Sequence, residues 1–407
     1  MNTNDSISEL LVRGVEHIYP NPDFLEKLLS GKEKITLYLG IDPTGPTLHL
    51  GHAIALRKLS EFQKLGHHII LLLGDFTARI GDPTDKLATR KQLTTEEIEQ
   101  NMKLYKKQAS SWLSFSGDNP ARIEFNSKWL GKMTFADVLE LSSKMTVQQL
   151  IERDMFQLRL REGKPIYVHE FLYPLMQGYD SVAMMVDGEI GGNDQTFNML
   201  VGRELLKDHG KDKFVLTVKL LTDASGKKMG KTEGNMLTLA DGAEDMYGKV
   251  MSWSDEKIVP GLELCTTVSL ARIEEIKKLL EQNENPILFK KELAREIVAV
   301  YHDKDSGEQA QQKWESTFSK GEIPEDAKKI TVTIKAPLVD LLVEHGFVAS
   351  KSEFRRLVQE GAITFSGKIE EKKIIDPACL VEESGALRIG KKRFLHIEVK
   401  KEKASSD

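Results

Sequence analysis

The sequence predicts an α/β protein: a Rossmann-like, mostly parallel sheet covered by helices, then an α-helical segment and a small α+β unit. Three observations predict it. From Ile35 to about Leu221, short apolar runs alternate with longer helical patterns, the mark of strand–helix–strand units. From about Ala240 to Phe318, apolar residues recur at helical spacing. After Pro337, two short helical patterns lead into a strand-like Ile363-Thr364-Phe365. The 407 residues suit roughly two to three domains. The expected division is 1–235 for the sheet, 236–330 for the helices and a linker, and 331–407 for the small unit.

Each element has a local reason. Ile35-Thr36-Leu37-Tyr38-Leu39-Gly40-Ile41 is a buried strand, and His68-Ile69-Ile70-Leu71-Leu72-Leu73-Gly74 is a second. A helix from about His49 to Leu65 joins them and stops at Gly66. Such a unit crosses over right-handedly. In the helical segment, Leu270, Ile273, Ile276 and Leu280 share one face, and Leu293, Ile297 and Val300 share another. Core packing accounts for both stripes. Ser319 to Lys329, with Gly321, Pro324 and several charges, is the expected linker. In the small unit Pro337 opens a helix with Leu338, Leu341 and Leu342 inward, ending at Gly346. Ser350 and Glu353 form a capping pattern for a second helix that buries Phe354, Leu357 and Val358.

Bulk properties exclude several function classes. Apolar residues make up 40% and charged residues 29%, ordinary values for a water-exposed globular chain. Cys265 and Cys379 have no metal-ligand spacing, which fits a reducing compartment without a structural zinc site. Met1 to Glu9 lacks the basic-then-apolar order of a secretory signal, and Ile69–Leu73 is the longest apolar run. The expectation is therefore a cytoplasmic protein that does not engage a membrane. A net charge of -5 argues against a general nucleic-acid coat. The last 72 residues hold 13 basic and 12 acidic groups, but the basic ones are clustered.

Two motifs carry phosphate chemistry. Tyr38-Leu39-Gly40-Ile41-Asp42-Pro43-Thr44-Gly45-Pro46-Thr47-Leu48-His49-Leu50-Gly51-His52 runs from a strand end through a Gly/Pro turn into a helix. Ligands of open parallel sheets sit beyond the carboxyl ends of strands, and a helix N-terminus offers N–H groups to phosphate. His49 and His52 face one side of the helix, and Gly51 allows close backbone approach. Half of a metal site is the competing explanation, but no cysteine lies nearby to complete it. The second motif is Lys227-Lys228-Met229-Gly230-Lys231-Thr232, preceded by Asp223-Ala224-Ser225-Gly226. Lysines near a triphosphate neutralise charge that develops as pyrophosphate leaves. A solvated basic loop is the commoner meaning of such a run, and the pairing with the histidines outweighs it.

Further polar residues gather around Tyr173-x-x-x-Gln177-x-x-Asp180, one helical face set among Phe171, Leu172, Leu175, Met176 and Val182. A carboxylate in such surroundings needs a partner. Ile190-Gly191-Gly192-Asn193-Asp194-Gln195 is a glycine-bearing turn with an acid and an amide. Gly81-Asp82-Pro83, with Lys86 and Arg90 after it, is another polar loop.

Together the two phosphate motifs resemble the HIGH and KMSKS signatures of class I aminoacyl-tRNA synthetases, although Gly230 stands at the serine position. The Tyr173–Asp180 stretch resembles the tyrosine-binding helix of the tyrosyl-tRNA synthetases, and the likeness extends from about Ser8 to Val399. It implies an enzyme that uses ATP, with Mg2+, to activate L-tyrosine and load it onto tRNA(Tyr). It implies Tyr38 and Asp180 at the phenol hydroxyl, Tyr173, Gln177 and Asp82 at the ammonium group, and Gln195 at the reacting carboxylate. It places His49, Thr44, Lys228 and Lys231 on the ATP phosphates, with Lys86 and Arg90 as a second phosphate loop. It places His52, Asp42, Gly51, Gly192 and Asp194 on the adenosine side. Glu189 stands where some members carry glutamine. Residues 236–330 then correspond to a helical anticodon-binding domain. Residues 331–407 resemble an S-four-type RNA-binding module whose Lys351, Arg355 and Arg356 contact RNA. The family also implies a homodimer. Rival assignments are a tryptophanyl enzyme of the same fold, which Tyr38 and Asp180 disfavour, and a non-catalytic RNA-binding paralogue, which the intact histidines and lysines disfavour.

Overall fold

The computed structural model describes residues 3–83, 93–222, 236–319, 328–367, 371–390 and 393–400. Six strands form the first sheet: β1 (Val15–Tyr19), β2 (Thr36–Ile41), β3 (His68–Leu73), β4 (Arg122–Phe125), β5 (Gly188–Gly192) and β6 (Phe214–Val218). Their spatial order is β1-β6-β5-β2-β3-β4, all neighbours parallel except β1, which runs antiparallel to β6. The apolar runs explain the centre. β6 is buried along its length and β3 at every residue but His68. Strands covered on both faces have no polar side to present. β2 and β3 are the two expected strands, and the helix Leu50–Lys64 joins them. Its chain reverses at Gly66, whose φ of 86° is the left-handed conformation that glycine adopts at least cost.

The helices from Ala243 to Tyr301 belong to the same compact unit as the sheet, which spans Met1–Ala310. Two buried arginines tie them to it. Arg13 donates through Nη2 to the Thr266 carbonyl at 2.9 Å and through Nε to that of Glu263 at 3.1 Å. Arg57 donates to the Glu263 carbonyl at 2.8 Å. Ile273 and Ile276 of the helix Leu270–Glu281 are buried, as are Leu293 and Ile297 of the helix Pro286–Tyr301. These are the inner residues of the expected stripes; Leu270, Leu280 and Val300 are half-buried. Among the described residues no helix is long and apolar enough to cross a membrane.

The second unit, Gln311–Asp407, has its own sheet and core. Its strands are β7 (Lys328–Thr333), β8 (Ile363–Ser366), β9 (Glu371–Lys373), β10 (Gly385–Ile389) and β11 (Arg393–Lys400), in the order β7-β11-β10-β8-β9. Only β7 and β11 pair in parallel. The helices Leu338–Glu344 and Lys351–Gln359 pack Leu342, Phe354 and Leu357 into that core. Ser350 caps the second helix by accepting from the Glu353 N–H at 3.2 Å. Glu353 reaches back to the Ala349 N–H at 2.6 Å, one residue before the cap. The linker is shorter than expected. Lys328 and Lys329 belong to β7, because Ile330 and Val332 alternate inward and draw the preceding lysines into the strand. Residues 320–327 lie outside the described residues.

Contact between β5 and β6 is close enough to test. A Cβ on Gly188 would lie 2.1 Å from ring carbons of the fully buried Phe214. Gly188→Ala is expected to lower the unfolding free energy by about 1–3 kcal/mol, as overpacked cores do. Denaturant unfolding measures it, and an unchanged midpoint contradicts this packing.

Candidate active site

The sheet changes direction at β2. The chain leaves β2 toward β3 on one side, while β5 pairs with β2 on the other. Such a switch point is where open parallel sheets bind ligands. In register, Tyr38 of β2 faces Glu189 of β5. Tyr38 is fully buried, and its hydroxyl lies 2.9 Å from Ser181 Oγ. Burial pushes its pKa well above that of an ordinary phenol, and the carboxylates of Glu189 and Asp180 add to the effect. It therefore remains a neutral hydroxyl.

The helix Val168–Met184 supplies Tyr173, Gln177, Ser181 and the buried Asp180. Asp180 accepts from Trp129 Nε1 at 2.7 Å and from Asn126 Nδ2 at 3.4 Å. Burial holds its carboxyl well above the usual carboxylate range, while those two bonds oppose the shift. Asn126 Nδ2 also donates to Thr77 Oγ1 at 3.0 Å, and the Thr77 hydroxyl donates to Asp42 Oδ1 at 2.7 Å. The other oxygen of Asp42 accepts from the Tyr173 hydroxyl at 2.8 Å. A polar chain thus runs from Asp180 through Asn126 and Thr77 to Asp42 and Tyr173. Gly74 makes room for it: a Cβ there would sit 1.9 Å from Asp42 Oδ1. Burial pushes the Asp42 carboxyl up from 3.8 to about 7, against the two hydroxyl bonds, which lower it.

Other expected residues fall close by. Gln195 Nε2 donates to Asp82 Oδ2, and Asn198 Nδ2 donates to Gln195 Oε1 at 3.0 Å. Gln177 Nε2 donates to Glu189 Oε1 at 3.2 Å. A Cβ on Gly192 would lie 2.4 Å from Asp194 Oδ1, so the glycine lets that carboxylate fold over the end of β5.

The histidines form a cap. His49 Nδ1 accepts from the Gly51 N–H, and the His49 N–H donates to His52 Nδ1, both at 3.1 Å. The rings stack with centroids 3.8 Å apart. With each Nδ1 an acceptor, the neutral rings carry their hydrogen on Nε2 and present it as a donor. Gly51 has a role beyond ligand approach: a Cβ there would meet the His49 ring at 3.0 Å. Leu50 donates to the Leu237 carbonyl at 3.1 Å, and Leu239 donates to that of Leu48 at 2.9 Å. The chain just after the lysine motif is therefore stitched to the histidine segment. Thr44 lies in the turn between, its N–H donating to the Asp42 carbonyl at 2.8 Å.

Lys86, Arg90, Lys228 and Lys231 lie outside the described residues. Lys351, Arg355 and Arg356 are in the second unit, exposed on the helix Lys351–Gln359. Lys351 pairs with Asp340 at 2.6 Å and Arg356 with Glu360 at 2.8 Å, both in water, where such pairs are weak and easily exchanged. Among the described residues there is no group of three or more His, Cys, Asp or Glu placed to hold a metal ion.

Sequence reasoning missed Thr77, Asn126, Trp129, Ser181, Lys213 and Arg153. Lys213 Nζ donates to Glu189 and to Ser181. Arg153 lies 4.8 Å over the Phe197 ring, and burial pushes its guanidinium below the ordinary arginine range while Asp82 and Tyr173 oppose this. Asn126 follows β4 directly, so the rule that ligands gather beyond strand ends was the available signal. The others have no local pattern.

A family model described as "tRNA synthetases class I (W and Y)" matches residues 30–319. The tyrosine–tRNA ligase of Thermotoga maritima is 43% identical over 396 residues, covering 96% of both chains. That of Moorella thermoacetica is 42% identical, covering 95% of this chain and 94% of its own. A C-terminally truncated mitochondrial tyrosyl-tRNA synthetase from Coccidioides posadasii superposes with a TM-score of 0.62 at 25% identity, covering 76% of this chain and 91% of its own. A tyrosyl-tRNA synthetase from Archaeoglobus fulgidus, solved with L-tyrosine, superposes at 0.60 and 23% identity over 76% of this chain and 100% of its own, which shows the shared fold.

Asp42 has a stability signature. Its carboxyl is at about 7 in the folded chain against an ordinary 3.8. Between those values the folded state binds more protons than the unfolded, so this contribution is full at low pH and declines as pH rises toward about 7. The unfolding free energy is expected to carry a component that falls across that window and is missing from Asp42→Asn. Denaturant unfolding across a pH series reads it. Parallel profiles for the two proteins contradict the assignment.

Proposed function

The chain belongs to the tyrosine–tRNA ligase family of class I synthetases, and from that premise we propose a division of labour within its site. The reaction activates L-tyrosine with ATP to tyrosyl-adenylate and pyrophosphate, then moves the tyrosyl group to the 3′ end of tRNA(Tyr). The observation that carries the substrate choice is the buried hydroxyl of Tyr38 beside the buried carboxyl of Asp180. Tyr38 and Asp180 meet the phenol hydroxyl. A ligand lacking it leaves the remaining hydrogen-bonding capacity of both unused in a buried site, a cost that an added hydrophobic contact cannot recover, and this same enzyme class is the standard example of that rule. An indole offers one N–H donor and no acceptor, so it answers only one of the two.

Asp82, Tyr173 and Gln177 hold the substrate ammonium group, and Gln195 orients the carboxylate toward the α-phosphorus. Asp42 keeps Tyr173 in place by accepting its hydroxyl. Asp42, His52, Gly51, Gly192 and Asp194 hold the adenosine side. The Nε2–H of His49, with Thr44, Lys228 and Lys231, stabilises the phosphates as pyrophosphate departs, and Lys86 with Arg90 closes on them from a second loop. Magnesium enters as part of the ATP substrate. No side-chain nucleophile is needed: the tyrosine carboxylate attacks phosphorus directly. The rate then comes from positioning and from charge placed where it develops.

Residues 1–235 carry this chemistry, 236–330 contribute the helical anticodon-binding part and linker, and 331–407 bind tRNA through Lys351, Arg355 and Arg356. Homodimer formation is supported by Phe135, Leu139, Val147, Leu158, Leu160 and Val168, large apolar side chains left exposed in one stretch of the first unit. The cytoplasm, where charged tRNA is consumed, is the setting.

ATP–pyrophosphate exchange should depend on tyrosine, with phenylalanine and tryptophan near background; equal exchange with tryptophan overturns the substrate assignment. Lys228→Ala and Lys231→Ala should slow adenylate formation far more than they weaken tyrosine binding, the mark of contacts made in the transition state. Weaker tyrosine binding at an unchanged rate would reverse those roles.

A further inference from the structure

Beneath the phenol end of the pocket lie three polar groups that the reaction as written leaves unused: Ser181, Glu189 and Lys213. Lys213 stands just before β6 and is 0% exposed. An ammonium group has three hydrogens and no lone pair, so it can only donate. Lys213 Nζ donates to Ser181 Oγ at 2.6 Å and to Glu189 Oε2, and it lies 5.6 Å from the Tyr38 ring centroid. The site is shaped around it: a Cβ on Gly202 would come within 2.9 Å of both Lys213 Nζ and Ser181 Oγ. Burial pushes the ammonium below the ordinary lysine range, and the Glu189 carboxylate beside it opposes this.

The bond directions then follow. Ser181 Oγ accepts from Lys213 and has one hydrogen to give. Two acceptors are in reach, the Tyr38 oxygen at 2.9 Å and Glu189 Oε2 at 3.5 Å. The nearer one takes it. Glu189 accepts from Lys213 and Gln177, and its carboxylate attracts the Tyr38 hydroxyl hydrogen as well, away from Ser181. Tyr38 is thus an acceptor on the Ser181 side, and its own hydrogen turns away from Ser181.

Resting on the tyrosine assignment above, we propose that Lys213 is a positioning residue that sets the polarity of a relay, Lys213 to Ser181 to Tyr38 to substrate. The phenol oxygen of the substrate accepts from Tyr38, and its hydrogen goes to Asp180. Glu189 balances the buried charge and accepts from the Gln177 amide at 3.2 Å, a bond that a glutamine in its place can keep.

The test is ATP–pyrophosphate exchange by the full chain and two variants, Ser181→Ala and the double substitution K213M/E189Q. Ser181→Ala cuts the relay yet leaves the ion pair intact, and the double variant leaves no unpaired buried charge. Both are expected to raise the KM for tyrosine about tenfold with little change in kcat, the size of one lost buried hydrogen bond. The kcat/KM for phenylalanine, which has no hydroxyl to orient, should stay as in the wild type, so discrimination falls about tenfold. A proportional loss with both amino acids assigns the three residues a merely structural role and overturns the proposal, as does an unchanged KM for tyrosine in a folded Ser181→Ala. Absence of tyrosine-dependent exchange in the wild type would sink the underlying substrate assignment instead.

Discussion

The pairing of β2 with β5 is the constraint on which the site depends. β2 pairs with β3 along its whole length but with β5 only at Leu37 and Tyr38. Beyond Tyr38 the ladder ends, and Leu39–Ile41 and Ile190–Gly192 have no partners across that line. A parallel sheet that stays closed along every strand has no room for a ligand. Here the ladder stops just after Tyr38, which leaves room for a ligand where the strands part. The polar loops that follow β2, β3, β4 and β5 then face the same opening.

Burying so many polar groups at one opening is costly unless each has a partner. The network meets that demand with hydroxyls and amides more than with charges. Asp180 has an indole N–H and an amide, and Asp42 has two hydroxyls. None of these donors neutralises a carboxylate, which is why burial wins and both acids are held above the carboxylate range. Glu189 is treated differently. It receives the full charge of Lys213, with both groups sealed from water. Removing one partner of such a pair leaves an uncompensated charge, so the two stand or fall together.

Much of this is legible in the sequence where the signal is local. The period of the apolar runs locates β2, β3 and the helix between them, because burial on both faces leaves a continuous apolar strand. The two phosphate motifs and the Tyr173–Asp180 face are readable because their residues are close in the chain. Thr77, Asn126, Trp129 and Lys213 are less so: the first three lie after β3 and β4, where a strand end is the one signal, and Lys213 precedes β6 with nothing in its own segment to mark it. Glu189 stands out in the sequence but has no meaning without Lys213, which meets it from the neighbouring strand edge. The linker expected from composition runs two lysines too far for the same reason: only pairing with β11 draws Lys328 and Lys329 into a strand.

Backbone pairing also joins segments far apart in sequence. Backbone bonds join Leu48 and Leu50 to Leu239 and Leu237, so the chain leaving the lysine motif is registered on the chain entering the histidine helix. A second set of contacts runs from Tyr38 through Ser181, Glu189 and Lys213 beneath the sheet's centre. Asp42 is where the two systems touch. It follows β2 directly, one of its oxygens holds Tyr173 of the amino-acid side, and its carbonyl accepts from Thr44 in the turn that leads to the histidines. A shift of the turn that carries Thr44 therefore reaches Tyr173 through one residue, and so does a change in that residue's charge.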